Sequence, residues 1–204
     1  MYLNAALWHT GTSIERWGRA LTGEEMRNIL FVFGQLTDED VTWLTEAGEP
    51  RKLRTGTELI AAGIPAQSVH VLLDGEARVT ASGADRADVA QLRPGDIIGE
   101  MSFIDASPPS ASVTTTTDSV TLEIPRLVLE HKLQHDSAFA SRFFRALAML
   151  LSDRLRKTMT RFTGSRQNDH EGTLALDELD PNVLEEVTRA GERFERMLKA
   201  SLKR

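Results

Sequence analysis

The 204-residue chain contains no cysteine. It therefore has no disulfide framework, no cysteine-ligated metal centre and no thiol nucleophile. An absence of cysteine suits a reducing compartment, and the first residues lack the basic leader and apolar core of an export signal. No run approaches the roughly 18 apolar residues that a membrane span requires. We therefore expect a cytoplasmic protein without a membrane partner.

Excess basic charge and catalytic motifs are also missing. The formal net charge is -6, which argues against a protein that coats nucleic acid or an anionic membrane. His131 and His135 are spaced i, i+4 on a predicted helix and could in principle hold a metal, but no acidic metalloprotease motif accompanies them. We find no Walker loop, nucleophile elbow or kinase signature. The sequence predicts a protein that is not an enzyme and needs no metal or other cofactor.

The first 48 residues have a helical pattern. The segment GEEMRNILFVFGQL is an apolar stretch, and TDEDVTWLTEAG follows it. Thr37 or Asp38 can cap the second helix at its start, and Gly48 can end it. We predict a small helical region here.

Between residues 50 and 124 the pattern changes to short alternating apolar runs separated by glycine and proline. Two of these runs place their apolar residues on one face of a strand: Val69, Val71 and Leu73 in the first, and Val120, Leu122 and Ile124 in the second. The Asp74-Gly75 pair suits a tight hairpin turn. Many short strands at close spacing predict a small β-sandwich or jelly roll.

After Arg126 the helical period returns. One long helix is predicted from an apolar stripe at spacings of three and four, which comprises Phe139, Phe143, Leu147, Leu150 or Leu151, Leu155, Met159 and Phe162. Gly164 starts a polar linker, and Asp180-Pro181 is a cap and first residue for a final helix. The apolar stripe of that helix comprises Val183, Val187, Ala190, Phe194, Met197 and Leu198. The fold class is α+β, a β-roll flanked by helices at both ends.

The segment GEMSFIDASPPSASV, which begins at Gly99, is the most informative motif. It resembles the signature of the cyclic nucleotide-binding domain family, found in catabolite activator proteins, kinase regulatory subunits and cyclic-nucleotide-gated channels. That signature runs Gly-Glu, a short apolar helix, then Pro-Arg-small-Ala-Ser/Thr-Val. The lead-in LRPGDIIGE and the runs around Gly56, Gly63 and Gly75 also resemble the family. The resemblance covers roughly residues 36–162.

The resemblance divides the chain into three parts: a helical extension (1–35), a cyclic nucleotide-binding-like domain (36–163), and a linker with a final helix (164–204). It implies that Glu100 accepts a hydrogen bond from a ribose hydroxyl and that Thr158, with Arg154 one turn earlier on the long helix, resembles the polar lid residues that reach the base. The other residues implied to bind the ligand are Gly99, Met101, Ser102, Pro109, Ser110, Ala111 and Ser112.

One residue departs from the family pattern. Pro109 occupies the position of the arginine that pairs with the cyclic phosphate in the family. A bidentate guanidinium–phosphate pair makes two bonds of about 1.5–3 kcal/mol each, so its loss weakens binding by roughly two orders of magnitude if nothing replaces it. Arg78, Arg86 and Arg93 are candidate replacements. We interpret the cluster of Arg154, Arg156, Lys157, Arg161 and Arg166 as a solvated helix face.

Two functions remain open. The first is a non-enzymatic sensor of a cyclic nucleotide that acts through an unknown partner protein. The second is a ligand-free β-roll that serves interaction and dimerisation. In both, the apolar stripe of the long helix favours a homodimer. About 40 residues follow Gly164, fewer than the DNA-binding domain of a catabolite activator requires, so we expect no DNA partner.

Overall fold

A computed structural model describes residues 22–82, 88–163 and 181–203. Two helices come first, α1 (Gly23–Phe33) and α2 (Asp38–Ala47). Each begins with a capping box, because the Thr22 or Thr37 hydroxyl accepts from the third helical residue and that residue's carboxylate accepts from the cap. Thr37 is therefore the cap of α2, and Gly48 ends that helix as predicted.

Eight strands form two antiparallel four-stranded sheets, as expected for a β-roll. Their bounds are β1 (Glu49–Leu53), β2 (Glu58–Ile60), β3 (Ser68–Asp74), β4 (Ala77–Ala81), β5 (Asp88–Leu92), β6 (Ile97–Ile98), β7 (Ala111–Thr115) and β8 (Ser119–Pro125). The first sheet has the order β1-β8-β3-β6 and the second β2-β7-β4-β5. The short helix α3 (Glu100–Asp105) lies between β6 and β7.

The turn after β3 differs from the prediction. Gly75 does adopt a left-handed conformation, with φ +83°, but β3 and β4 belong to different sheets. The hairpin prediction for Asp74-Gly75 is therefore wrong, because β3 pairs instead with β6 and β8. The turn carries the chain from one sheet to the other. A side chain at Gly75 would lie 2.2 Å from the Ser119 hydroxyl oxygen, so the crossing leaves no room there for a β-carbon.

Three helices follow the roll: α4 (Arg126–His135), α5 (Ser137–Thr163) and α6 (Pro181–Leu202). The main core lies between the first sheet and these helices together with α1 and α2. It contains Val69, Val71, Leu73, Leu122 and Ile124 from the strands, Phe139, Phe143, Leu147 and Leu150 from α5, and Ala190, Phe194 and Met197 from α6. The predicted faces of β3, β8 and α6 are thus confirmed for these residues. Asp180, Val183 and Phe162 lie outside the described residues and side chains.

The predicted stripe of α5 divides into two. Phe139, Phe143, Leu147 and Leu150 are buried in the chain's own core. Leu155 and Met159 are 61% and 58% exposed, because they lie on a different face of α5 from these four residues. Across residues 22–82, 88–163 and 181–203, no helix combines the length and apolarity that crossing a bilayer demands.

Candidate functional site

The predicted binding segment begins where β6 ends. Gly99 has φ +88° and directly precedes α3. A β-carbon at Gly99 would lie 3.0 Å from the Ser68 carbonyl oxygen, so the chain packs closely against β3 at this point. This tight left-handed turn directs Glu100 inward, and its side chain is only 5% exposed.

Glu100 contacts a residue from the opposite end of the domain. Arg154, in the second half of α5, donates through Nη1 to Glu100 Oε1. Arg154 Nη2 donates to Asp96 Oδ1 and to the Ile97 carbonyl oxygen, each at 2.8 Å. One guanidinium from α5 therefore binds two carboxylates that flank β6, and it fastens the long helix to the predicted binding segment.

The charges of this cluster influence one another. Burial raises the pKa of Glu100, with a smaller contribution from Asp96, while Arg154 opposes the shift. Burial also works against the charge of Arg154, but Glu100 and Asp96 outweigh it and raise the pKa of the guanidinium. The Nε atom of Arg154 is buried and has no hydrogen-bond partner among the described residues. The cluster thus has one unused donor on a fixed cation.

Asp96 extends the cluster to α1. Its Oδ2 accepts from Asn28 Nδ2 at 2.9 Å and from the Arg93 backbone N–H at 2.8 Å. Asp96 and Asn28 are 4% and 3% exposed. A buried carboxylate with charged and neutral donors from three directions keeps the β5–β6 turn, α1 and α5 in fixed relative positions.

The loop before β7 is held by the chain itself. The Pro109 carbonyl accepts from the Gly63 N–H at 2.8 Å, and the Ser112 hydroxyl accepts from the Ala62 N–H at 3.1 Å. The Ser110 carbonyl accepts from the Ser82 hydroxyl. These three hydrogen bonds tie the loop before β7 to the turn after β2 and to the end of β4.

The remaining predicted residues occupy varied positions. Ser102 is buried, and its carbonyl accepts from Arg126 Nη1 at 3.0 Å. Met101 is 61% exposed and faces away from the cluster, while Ala111 is half-buried at the start of β7. Thr158 donates to the Arg154 carbonyl oxygen at 2.8 Å, so its hydroxyl binds its own helix. Of the predicted residues on this segment, the structure shows Glu100 in contact with Arg154 and Ser102 in contact with Arg126.

The predicted replacement cations lie elsewhere. Arg78 pairs with Asp88 on an exposed strand surface, and Arg93 pairs with Glu24 and Glu76. Arg86 lies outside the described residues. The cation at the segment is Arg154, for which the prediction of a solvated helix face is wrong.

Lys157 does not belong to a solvated face either, because it binds Glu24 and Asp153. Arg156 is exposed as predicted, whereas the Arg161 side chain and Arg166 are outside the described part of the chain.

A signal in the sequence could have identified the burial of Arg154. The buried face of α5 continues every three or four residues from Phe139 through Phe143 and Leu147 to Leu150. The next position in that phase is residue 154. A charged residue in the phase of a buried stripe requires a buried partner of opposite charge, and Glu100 and Asp96 are those partners.

Comparison with known proteins agrees with this architecture. Residues 50–136 match the family model for the cyclic nucleotide-binding domain. A CRP-like cAMP-activated global transcriptional regulator from Mycobacterium tuberculosis is 21% identical over 80% of this chain and 68% of its own length.

Solved structures show the same fold. A cyclic nucleotide-binding domain from Methylobacillus flagellatus superposes with a TM-score of 0.60 and 26% identity, over 70% of this chain and 83% of that one. The catabolite activator protein of Thermus thermophilus superposes with a TM-score of 0.54 and 23% identity, over 85% of this chain and 87% of that one.

Proposed function

We propose that this chain, whose residues 50–136 match the family model for the cyclic nucleotide-binding domain, is a non-enzymatic sensor in which Arg154 supplies the cation for an anionic nucleotide. The observation that carries this proposal is the Arg154–Glu100 ion pair. It places a guanidinium on the same carboxylate that the resemblance assigns to the ribose.

The pair suits a cyclic nucleotide for a chemical reason. A nucleotide brings a hydroxyl that donates to Glu100 and an anionic phosphate that accepts from Arg154. It therefore offers each member of the ion pair a substitute partner, and the buried Nε of Arg154 gains an acceptor. Asp96 keeps its contact with Nη2 and holds the guanidinium in place.

This exchange couples the site to the rest of the molecule. Arg154 lies on α5, and Asp96 also binds Asn28 on α1. If a ligand replaces the Glu100 contact, α5 loses the hydrogen bond from Arg154 to the start of α3. We infer that movement of α5 relative to the roll is the output, which a partner protein reads.

The binding test is calorimetry of the full chain with cyclic AMP, cyclic GMP and cyclic di-GMP. Cyclic AMP comes first because the mycobacterial relative is named for its activation by cAMP. We expect binding of one of these ligands that is weakened in Glu100→Ala, while the control variant Glu39→Ala, an exposed change on α2, binds like the original chain. Absence of heat with every ligand, at concentrations able to show a dissociation constant of about 100 micromolar, would overturn the proposal.

A second function has an observation of its own. The hydrogen bonds from Gly63 to Pro109 and from Ala62 to Ser112 tie the loop before β7 to the turn after β2. A roll whose loop is held in this way can serve as a rigid interaction module without a ligand. The same calorimetry separates the two functions, because only the sensor binds a nucleotide.

We further propose that the chain forms a homodimer through the outer face of α5. Phe144, Leu151, Leu155 and Met159 share that face at spacings near seven and four, with Phe144, Leu155 and Met159 between 45% and 61% exposed. Such spacing lets two copies of a helix pack along a common seam. Sedimentation should give a dimer mass for the full chain and for Arg156→Glu. The variant with glutamate at both Leu155 and Met159 should give a monomer mass, and a monomer from the unaltered chain would contradict the proposal.

A further inference from the structure

The helix α4 carries two histidines whose side chains lie together on its surface. His131 and His135 are both exposed, and their ring centroids are 4.1 Å apart with an interplanar angle of 23°. Residues four apart on a helix share one face. Neither histidine is among the residues of the proposed nucleotide site.

The hydrogen bonding of the pair fixes one ring in a ligating form. The distance from His135 Nδ1 to the His131 carbonyl oxygen is 2.8 Å. Since the carbonyl can only accept, Nδ1 carries the proton and the neutral ring leaves the lone pair on Nε2 free. A histidine whose second ring nitrogen donates to a backbone carbonyl is the usual arrangement of a metal ligand in proteins.

The surroundings leave room for further ligands. The pair borders an open groove of about 790 Å³, which Trp43, Leu127 and Val128 also line. Asp136 lies in the same groove, but its carboxylate accepts from Lys132 and from the Phe139 N–H. In the part of the chain that the structure describes, no group of three or more metal-binding side chains exists. A bound ion would therefore keep coordination positions open to water or to a group from outside the chain.

We propose that His131 and His135 form a chelating site for a divalent transition-metal ion on the surface of α4. Two imidazoles suit copper, nickel and zinc, whereas magnesium and calcium require oxygen ligands. The order of affinity should follow the intrinsic order for nitrogen ligands, with Cu²⁺ tightest and Zn²⁺ and Ni²⁺ weaker. A metal must compete with protons for the ring nitrogens, so affinity should fall as the pH is lowered.

The test is calorimetric titration of the full chain with CuCl₂, NiCl₂ and ZnCl₂, with MgCl₂ as the negative control. We expect one site per chain. Each single variant, His131→Ala and His135→Ala, should lower the affinity at least tenfold. Thermal unfolding with and without Ni²⁺ gives a second readout, because a ligand that binds only the folded chain raises the melting temperature. This rise should be absent in both variants, and circular dichroism verifies that they remain folded.

His170 provides the matched control, because it lies beside Asp169 and Glu171 in the sequence and offers an alternative metal site. His170→Ala should bind Ni²⁺ like the unaltered chain. Loss of binding in His170→Ala, or unchanged binding in His131→Ala, would overturn the proposal. Failure to detect binding of any of the three transition metals would also overturn it. None of these results bears on nucleotide binding at Glu100.

Discussion

Arg154 and Glu100 are 54 residues apart in the chain and form a half-buried ion pair that fastens α5 to the start of α3. The pair does two things in one place. It neutralises a carboxylate that the fold has buried, and it brings a guanidinium to the segment whose family arginine is replaced by Pro109. The stability of this domain and its proposed binding chemistry therefore involve the same residue.

Arg154→Met should destabilise the domain by about 3 kcal/mol at neutral pH, because it leaves Glu100 and Asp96 buried without their cation. Urea unfolding measures the loss. Arg156→Met, an exposed change two residues away, should cost less than about 0.5 kcal/mol. Equal effects of the two changes would show that the ion pair contributes nothing.

The same variant should change the pH dependence of stability. Burial raises the pKa of Glu100, so the folded chain holds a proton more tightly than the unfolded chain. Stability from this group therefore falls as pH rises from the ordinary value of 4.5 through the raised one. Removing Arg154 raises the pKa further, so the unfolding free energy above pH 4.5 should fall more steeply with rising pH in Arg154→Met. A slope that matches the unaltered chain would contradict this assignment.

Asp40→Asn should destabilise the contact between α2 and α5. Arg142 donates to both carboxylate oxygens of Asp40, at 2.6 and 2.8 Å. Burial opposes the charge of Asp40, but Arg142 and Thr37 outweigh it and lower its pKa below 3.8. Stability from this group is present above pH 3.8 and is lost as pH falls through the lowered pKa.

The cost of Asp40→Asn should therefore be about 2 kcal/mol at pH 7, allowing for the partial exposure of Arg142. It should shrink as unfolding is measured at progressively more acidic pH. Glu39→Gln, a neighbouring exposed change, serves as the control and should cost little at any pH. A penalty for Asp40→Asn that stays constant down to about pH 2 would mean that the charge is not what stabilises the contact.

Gly75→Ala and Gly63→Ala form a matched pair. Both glycines have positive φ, +83° and +78°, so an alanine at either position costs about 1–2 kcal/mol of backbone strain. Only at Gly75 would the new β-carbon also meet Ser119, whereas nothing lies within 4 Å at Gly63. Chemical unfolding should show Gly75→Ala to be less stable than Gly63→Ala by more than about 1 kcal/mol. Similar stabilities of the two variants would show that the turn at Gly75 can move away from Ser119 to make room for a β-carbon.

The sequence predicts local features of this fold well. The cap of α2, the alternation of β3 and β8 and the buried half of α5 all depend on residues a few positions apart. The strand partner of β3 does not, and the Asp74-Gly75 turn was misassigned because a local turn signal cannot say which strands pair. The partners of Arg154 were missed for the same reason, since Glu100 and Asp96 come near it only when α5 packs on the roll.

The most direct test of the sensor is the nucleotide affinity of Arg154→Met beside that of Arg156→Met, each compared with the unaltered chain by calorimetry. If Arg154 supplies the cation, Arg154→Met should lose roughly a hundredfold in affinity and Arg156→Met should lose none. Adding Pro109→Arg to Arg154→Met, which restores the residue typical of the family, should recover part of the loss. Equal affinities in Arg154→Met and the unaltered chain would contradict the account.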